Sequence, residues 1–312
     1  MPTSPSRHLA ALITGASLVV LAGCGSSSGS DSGGSASQTP AAASAIPVVT
    51  STNVYGDIVG QIGGTKVDVT SIISDPDQDP HSYEANTQNQ LALSKAKVVV
   101  ENGGGYDDFV DRMLKSGGSS AEVVNAVKVS GKTAPKGGEL NEHVWYDFPT
   151  VSRIADSIAA ALGKADPDDA ATFTENATAF KAKLQPLEAK EAQIKKEHGG
   201  EAVAITEPVP LYMIEASGLR NATPAEFSEA IEEGSDVSPK VLQAALALFS
   251  GRKVEALVYN AQTSGPQTEK AEAAAKAAGI PVVPVTETLP SGKDYVAWMT
   301  SNVDALAGAL DK

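Results

Sequence analysis

The chain has 312 residues, 42% of them hydrophobic, one cysteine, and a formal charge of −14 at neutral pH. That is enough polypeptide for one large or two medium folded units. An acidic balance of this size argues against nucleic acid and anionic membrane surfaces as docking partners, and a lone cysteine excludes an internal disulfide.

The first segment carries Arg7, an apolar stretch from Leu9 to Leu21, and the ending Leu21-Ala22-Gly23-Cys24. It is too short for a stable membrane span and has the layout of a secretory signal. Leu-Ala-Gly-Cys resembles a bacterial lipobox, which implies cleavage before Cys24 and lipid attachment to it. Loss of residues 1–23 removes Arg7 and leaves the chain one unit more negative. Residues 24–45 are almost wholly Gly, Ser, Ala, Gln and Pro, a composition that buries too little apolar surface to fold. As a flexible tether they reach roughly 25 Å. The expected order is a lipid anchor at the extracytoplasmic face of the cell membrane, a tether, and a folded body from Ile46.

Short Val- and Ile-rich runs follow at Ile46–Thr50, Val67–Ile73, Ala96–Val100, Ala202–Thr206, Val254–Tyr259 and Ile280–Val285, with a weaker one at Ala121–Val129. Helical patterns lie between them, as at Val151–Leu162, Lys240–Phe249 and Thr268–Ala278. Strand–helix alternation predicts an α/β fold with mainly parallel sheets covered by helices. The middle differs. Asp166-Pro167 reads as a helix start, and Phe173, Ala177, Phe180, Leu184, Leu187 and Ile194 draw one apolar stripe. Lys195, Lys196 and His198 fill the last turn before Gly199-Gly200, as a helix C-terminus favours. Residues 166–198 are therefore expected to form a linking helix between lobes 46–165 and 199–312. Pro186 should kink it, because proline removes a backbone donor.

Ligands in open α/β sheets bind beyond the carboxyl ends of the strands. His81 follows the Val67–Ile73 run, His143 follows the weaker run, Glu207 directly follows Ala202–Thr206, and Glu287 follows Thr286. Two imidazoles from the first half and two carboxylates from the second match a site for a first-row divalent metal without thiolate. Asp75-x-Asp77-x-Asp79 does not make a calcium loop, since Pro80 stands where that loop needs Gly and Asn86 where it needs Glu. His8 falls in the signal.

Asp79-Pro80-His81-Ser82-Tyr83-Glu84 resembles the signature of the metal-binding solute-binding proteins of ABC transporters, with Ala85 where Pro is usual. Asn102-Gly103, His143-Val144-Trp145-Tyr146-Asp147, Thr206-Glu207 with Leu211-Tyr212 and Gly218-Leu219, Tyr259 to Ser264, and Tyr295, Met299 and Asn302 extend the resemblance over nearly the whole body. Glu287 stands where that family usually has Asp. The resemblance implies two lobes joined by a long helix, a metal in the cleft, and delivery to a permease with a cytoplasmic ATPase by a monomeric receptor.

Zinc receptors of that family generally use a third histidine and often a His-rich loop. Here Glu207 holds the third place and residues 115–141 contain no histidine. Harder oxygen donors favour Mn²⁺ over Zn²⁺ as the transported ion, although Zn²⁺ should still bind tightly. A receptor for an iron chelate or a small organic solute is the alternative. It would need aromatic or Arg residues lining the cleft, and aromatics make up 5% of this chain. A metalloenzyme needs open coordination positions and often a separate base. No Ser-His or Cys-His nucleophile pattern is evident, so neither catalysis nor a catalytic cofactor is expected.

Overall fold

The computed structural model describes residues 45–75, 78, 83–136 and 138–312. Two parallel sheets organise the body. The first contains β1 (Ile46–Thr52), β2 (Val67–Ile73), β3 (Val98–Glu101) and β4 (Glu122–Asn125), in the order β2-β1-β3-β4. The second contains β5 (Ala202–Ile205), β6 (Arg220–Asn221), β7 (Ala256–Asn260) and β8 (Val282–Val285), in the order β6-β5-β7-β8. The two orders are equivalent, so each lobe repeats one winding. Each has a switch point where the order reverses, between β1 and β3 in one lobe and between β5 and β7 in the other. The crevice for a ligand forms at such points.

Both faces of the central strands are covered. Val98, Val99 and Val100 are all buried, as are Ala256 to Asn260, which is why they read as continuous apolar runs. β6 is only two residues long and polar, so it gives no such run.

The long helix runs Ala170–His198, preceded by a single tight turn at Pro167–Asp169. At 1.5 Å per residue it is about 43 Å long. All six predicted stripe residues are buried. They join a core that takes in Ile154 and Ile158 of the Phe148–Ala165 helix and Trp298 and Val303 of the C-terminal helix Tyr295–Leu310. One core therefore runs through both lobes along this spine. The helix continues through Pro186. Ala182, whose carbonyl loses its partner, lies on the exposed side together with Pro186, where solvent can reach that carbonyl. No described helix is long and apolar enough to cross a membrane.

Candidate metal centre

The residues after β5, β7 and β8 are locked in register. Ile205 sits opposite Val258, and Asn260 opposite Val285. Two residues beyond the ends of β5 and β8 come Glu207 and Glu287, flanking Asn260. The Asn260 side-chain amide donates to Glu207 Oε2 and, at 2.7 Å, to Glu287 Oε1. All three residues are buried. The backbone N–H of Glu287 donates to Gln262 Oε1 at 2.5 Å, which fixes the turn that presents its carboxylate.

His143 comes from the first lobe. It immediately precedes the 3₁₀ turn Val144–Tyr146 and is fully buried. Its Nδ1 lies 2.7 Å from Asn141 Oδ1, so that nitrogen carries the proton and Nε2 faces the opposite side. Tyr106 and Trp145 enclose the ring, with centroids at 5.8 and 5.0 Å. Nε2 lies 3.3 Å from Glu232 Oε1 and 3.9 Å from Glu287 Oε2. Tyr106 also donates to Glu287 Oε2 at 3.4 Å. Tyr106 is positioned by the turn Gly103-Gly104-Gly105, where all three glycines have positive φ. The carboxylate of Asp107 accepts from the N–H groups of Asn102 and Gly103 at 2.6 and 2.7 Å.

The structure thus brings together His143, Glu207 and Glu287 from two lobes. His81 lies outside the described residues, with Asp79, Pro80 and Ser82, and so does Cys24. The flanks of the His81 segment are in place. β2 ends at Ile73, and the Tyr83 hydroxyl donates to Asn89 Oδ1 at 2.9 Å. His198 is elsewhere, at the end of the long helix, between Glu201 and Asp311 at 3.3 and 3.2 Å.

Sequence reading missed Glu232, Asn260 as the shared holder of two carboxylates, and Asn141 as the orienter of His143. Asn260 and Asn141 look like ordinary loop amides. Glu232 did leave a signal. It ends the helix Ala225–Glu232, whose last turn has no basic residue, and a carboxylate there opposes the helix dipole.

The electrostatics favour retained protons. Burial and the nearby Glu287 charge push the Glu207 carboxyl up to about 8, although the Asn260 amide pulls the other way. For His143, burial favours the neutral ring, but the charges of Glu232, Glu287 and Glu142 outweigh it and carry the group to about 9. Crowded carboxylates beside an imidazole hold protons more tightly than the free groups do.

Residues 48–309 match the family described as ZnuA, zinc-uptake complex component A, periplasmic. The chain belongs to this family. Its members include the metal-binding solute-binding proteins of ABC transporters. The manganese ABC transporter substrate-binding lipoprotein scaA of Streptococcus gordonii is 26% identical over 296 residues, 88% of this chain and 92% of that one. The manganese-binding lipoprotein MntA of Bacillus subtilis is 33% identical over 173 residues, 54% of this chain and 53% of that protein. The match to MntA of Halalkalibacterium halodurans likewise covers 54% of that protein, so the chain spans about half the length of both MntA relatives. Among solved structures, the periplasmic zinc-binding protein TroA from Treponema pallidum shares the fold, with a TM-score of 0.72 at 22% identity over 85% of this chain and 99% of that one. The laminin-binding adhesin of Streptococcus agalactiae also gives 0.72, at 24% identity over 85% and 99%.

Proposed function

We propose that this chain captures one divalent first-row metal ion, manganese in preference to zinc, through His81, His143, Glu207 and Glu287. It then hands the ion to an ABC permease driven by a cytoplasmic ATPase. What supports the reading is that three buried side chains lie close: His143 Nε2 is 3.9 Å from Glu287 Oε2, and the Asn260 amide bonds both Glu287 and Glu207. Nitrogen and carboxylate donors without thiolate suit this class of ion. The preference for manganese rests on the oxygen-rich set, because two carboxylates that can each bind through both oxygens allow more than four contacts. Relatives named for manganese and for iron both occur among the similar proteins.

In this reading the receptor is a monomer held to the membrane by a lipid on Cys24. Residues 1–23 are the signal and 24–45 the tether. Residues 46–165 and 199–312 form the lobes and 166–198 the link. No catalytic step is assigned. Equilibrium dialysis of the purified protein against equal Mn²⁺ and Zn²⁺, followed by elemental analysis, tests it. One metal ion per chain is expected, with manganese retained at a share that the usual N/O-site order, which favours zinc, would not give. A chain that retains neither ion would overturn the proposal.

A further inference from the structure

We propose that Glu232 is an additional metal-contacting residue, which adds a third carboxylate to the site and sets its preference for manganese. The inference rests on the metal-receptor reading above and extends its donor set.

Four observations lead to it. First, Glu232 Oε1 lies 3.3 Å from His143 Nε2. Two donors on one metal with bonds of about 2.0–2.2 Å stand about 2.8–3.6 Å apart in octahedral or tetrahedral geometry. The pair is therefore spaced for one shared ion, and more closely than His143 Nε2 and Glu287 Oε2 at 3.9 Å. Ligand atoms of Glu142, His143 and Glu232 all fall within 4.8 Å of one another.

Second, Glu232 stands at the negative end of its helix beside Glu233, with Glu229 one turn back and no basic residue in that turn. Gly234, at φ 63°, then turns the chain away. A carboxylate in this place is stabilised by a nearby cation, and the His143 imidazole at 3.3 Å stands where one would be held.

Third, a cavity of about 160 Å³ adjoins the site and is lined by Glu139, Glu142, Glu229, Glu232 and Glu233, with no Lys or Arg among the described lining residues. A concave acidic surface raises the local concentration of cations. Glu232 belongs both to this cavity and to the cluster with His143.

Fourth, Glu207 is buried, and its Oε1 accepts no hydrogen bond from any described residue. That oxygen can take a contact from a bound ion.

Beside the His143 imidazole, three carboxylates that can each bind through one or both oxygens allow more than four contacts, which suits Mn²⁺. Zn²⁺ is satisfied by four. Glu232 therefore matters more for manganese than for zinc.

The test measures Mn²⁺ and Zn²⁺ affinities of the full-length protein carrying Glu232→Gln, Glu229→Gln or His143→Ala, with thermal unfolding of each metal-free variant to verify folding. E232Q is expected to weaken Mn²⁺ binding by about tenfold or more and Zn²⁺ binding by less than about threefold. E229Q removes the same charge from the same cavity and is expected to change either affinity by less than about threefold. H143A is expected to lose both metals. Mn²⁺ binding by E232Q that is unchanged or tighter would overturn the inference. So would an E229Q loss as large as that of E232Q, which would mean that cavity charge rather than contact is at work. Retention of both metals by H143A would instead overturn the underlying receptor reading.

Discussion

Asn260 is the residue on which the two second-lobe carboxylates depend. Its buried amide nitrogen donates to Glu207 Oε2 and to Glu287 Oε1, the latter at 2.7 Å, with Thr263 Oγ1 at 3.1 Å as a further partner. Asn260→Ala removes the donor that holds both oxygens on one side of the site. Loss of an outer partner of this kind costs about 10–100-fold in metal affinity, or about 1.4–2.7 kcal/mol. A second effect acts in the same direction. Glu207 already sits at about 8, and the Asn260 amide is one of the influences holding it down. Without that amide the carboxyl rises further, and at pH 7 the metal must displace a more tightly held proton. The assay is titration of metal-free protein with Mn²⁺, reading free Mn²⁺ by electron paramagnetic resonance. An N260A affinity within about threefold of wild type would refute the claim that a shared donor organises the site.

Cys24→Ala should release the protein from membranes or leave its precursor unprocessed, and unchanged fractionation would contradict lipid anchoring. Glu191 is 4% exposed in the long helix, and burial first, then the charges of Asp147 and Glu188, lifts it from 4.5 to about 8. Its folded-state value is the higher one, so the stability it confers is present below pH 4.5 and is lost as pH rises towards 8. Glu191→Gln does not titrate, so its lead over wild type in chemical unfolding should grow by about 3 kcal/mol between pH 4 and pH 7; a constant difference would contradict the buried-acid reading. Metal binding should move the lobes little, because the spine is one packed helix and the lobes are stitched by reciprocal bonds between Asn53 and Leu289 and by Tyr212 to the Asn141 carbonyl. A large drop in the radius of gyration on adding metal, measured by small-angle X-ray scattering, would show that the spine bends.

The architecture was legible wherever burial is periodic or continuous. The strands covered on both faces read as apolar runs, and the long helix showed itself in a stripe whose every member is buried. Features set by pairing alone were not legible. β6 is two residues, Arg220 and Asn221, set by its register with Ala202 and Val203. The helix runs on through Pro186, as the stripe on both sides of it required, with Pro186 on the exposed side. The site divides in the same way. His143, Glu207 and Glu287 follow strands and turns that the sequence marks, so their positions could be named. Glu232 lies at the end of a helix after a two-residue strand, and its approach to His143 depends on how the two lobes pack. Asn141 and Asn260 matter through hydrogen-bond geometry, which residue type does not reveal.

The central claim is that histidine from the first lobe and carboxylates from the second bind one metal ion between them. The most direct measurement is the metal content of His143→Ala and His198→Ala proteins after equilibrium dialysis. Both substitutions remove an imidazole, but only His143 faces Glu287, while His198 is paired with Glu201 and Asp311 at the far end of the helix. One metal ion per chain is expected in wild type and H198A, and little or none in H143A. Equal loss in both variants, or full retention in H143A, would contradict it.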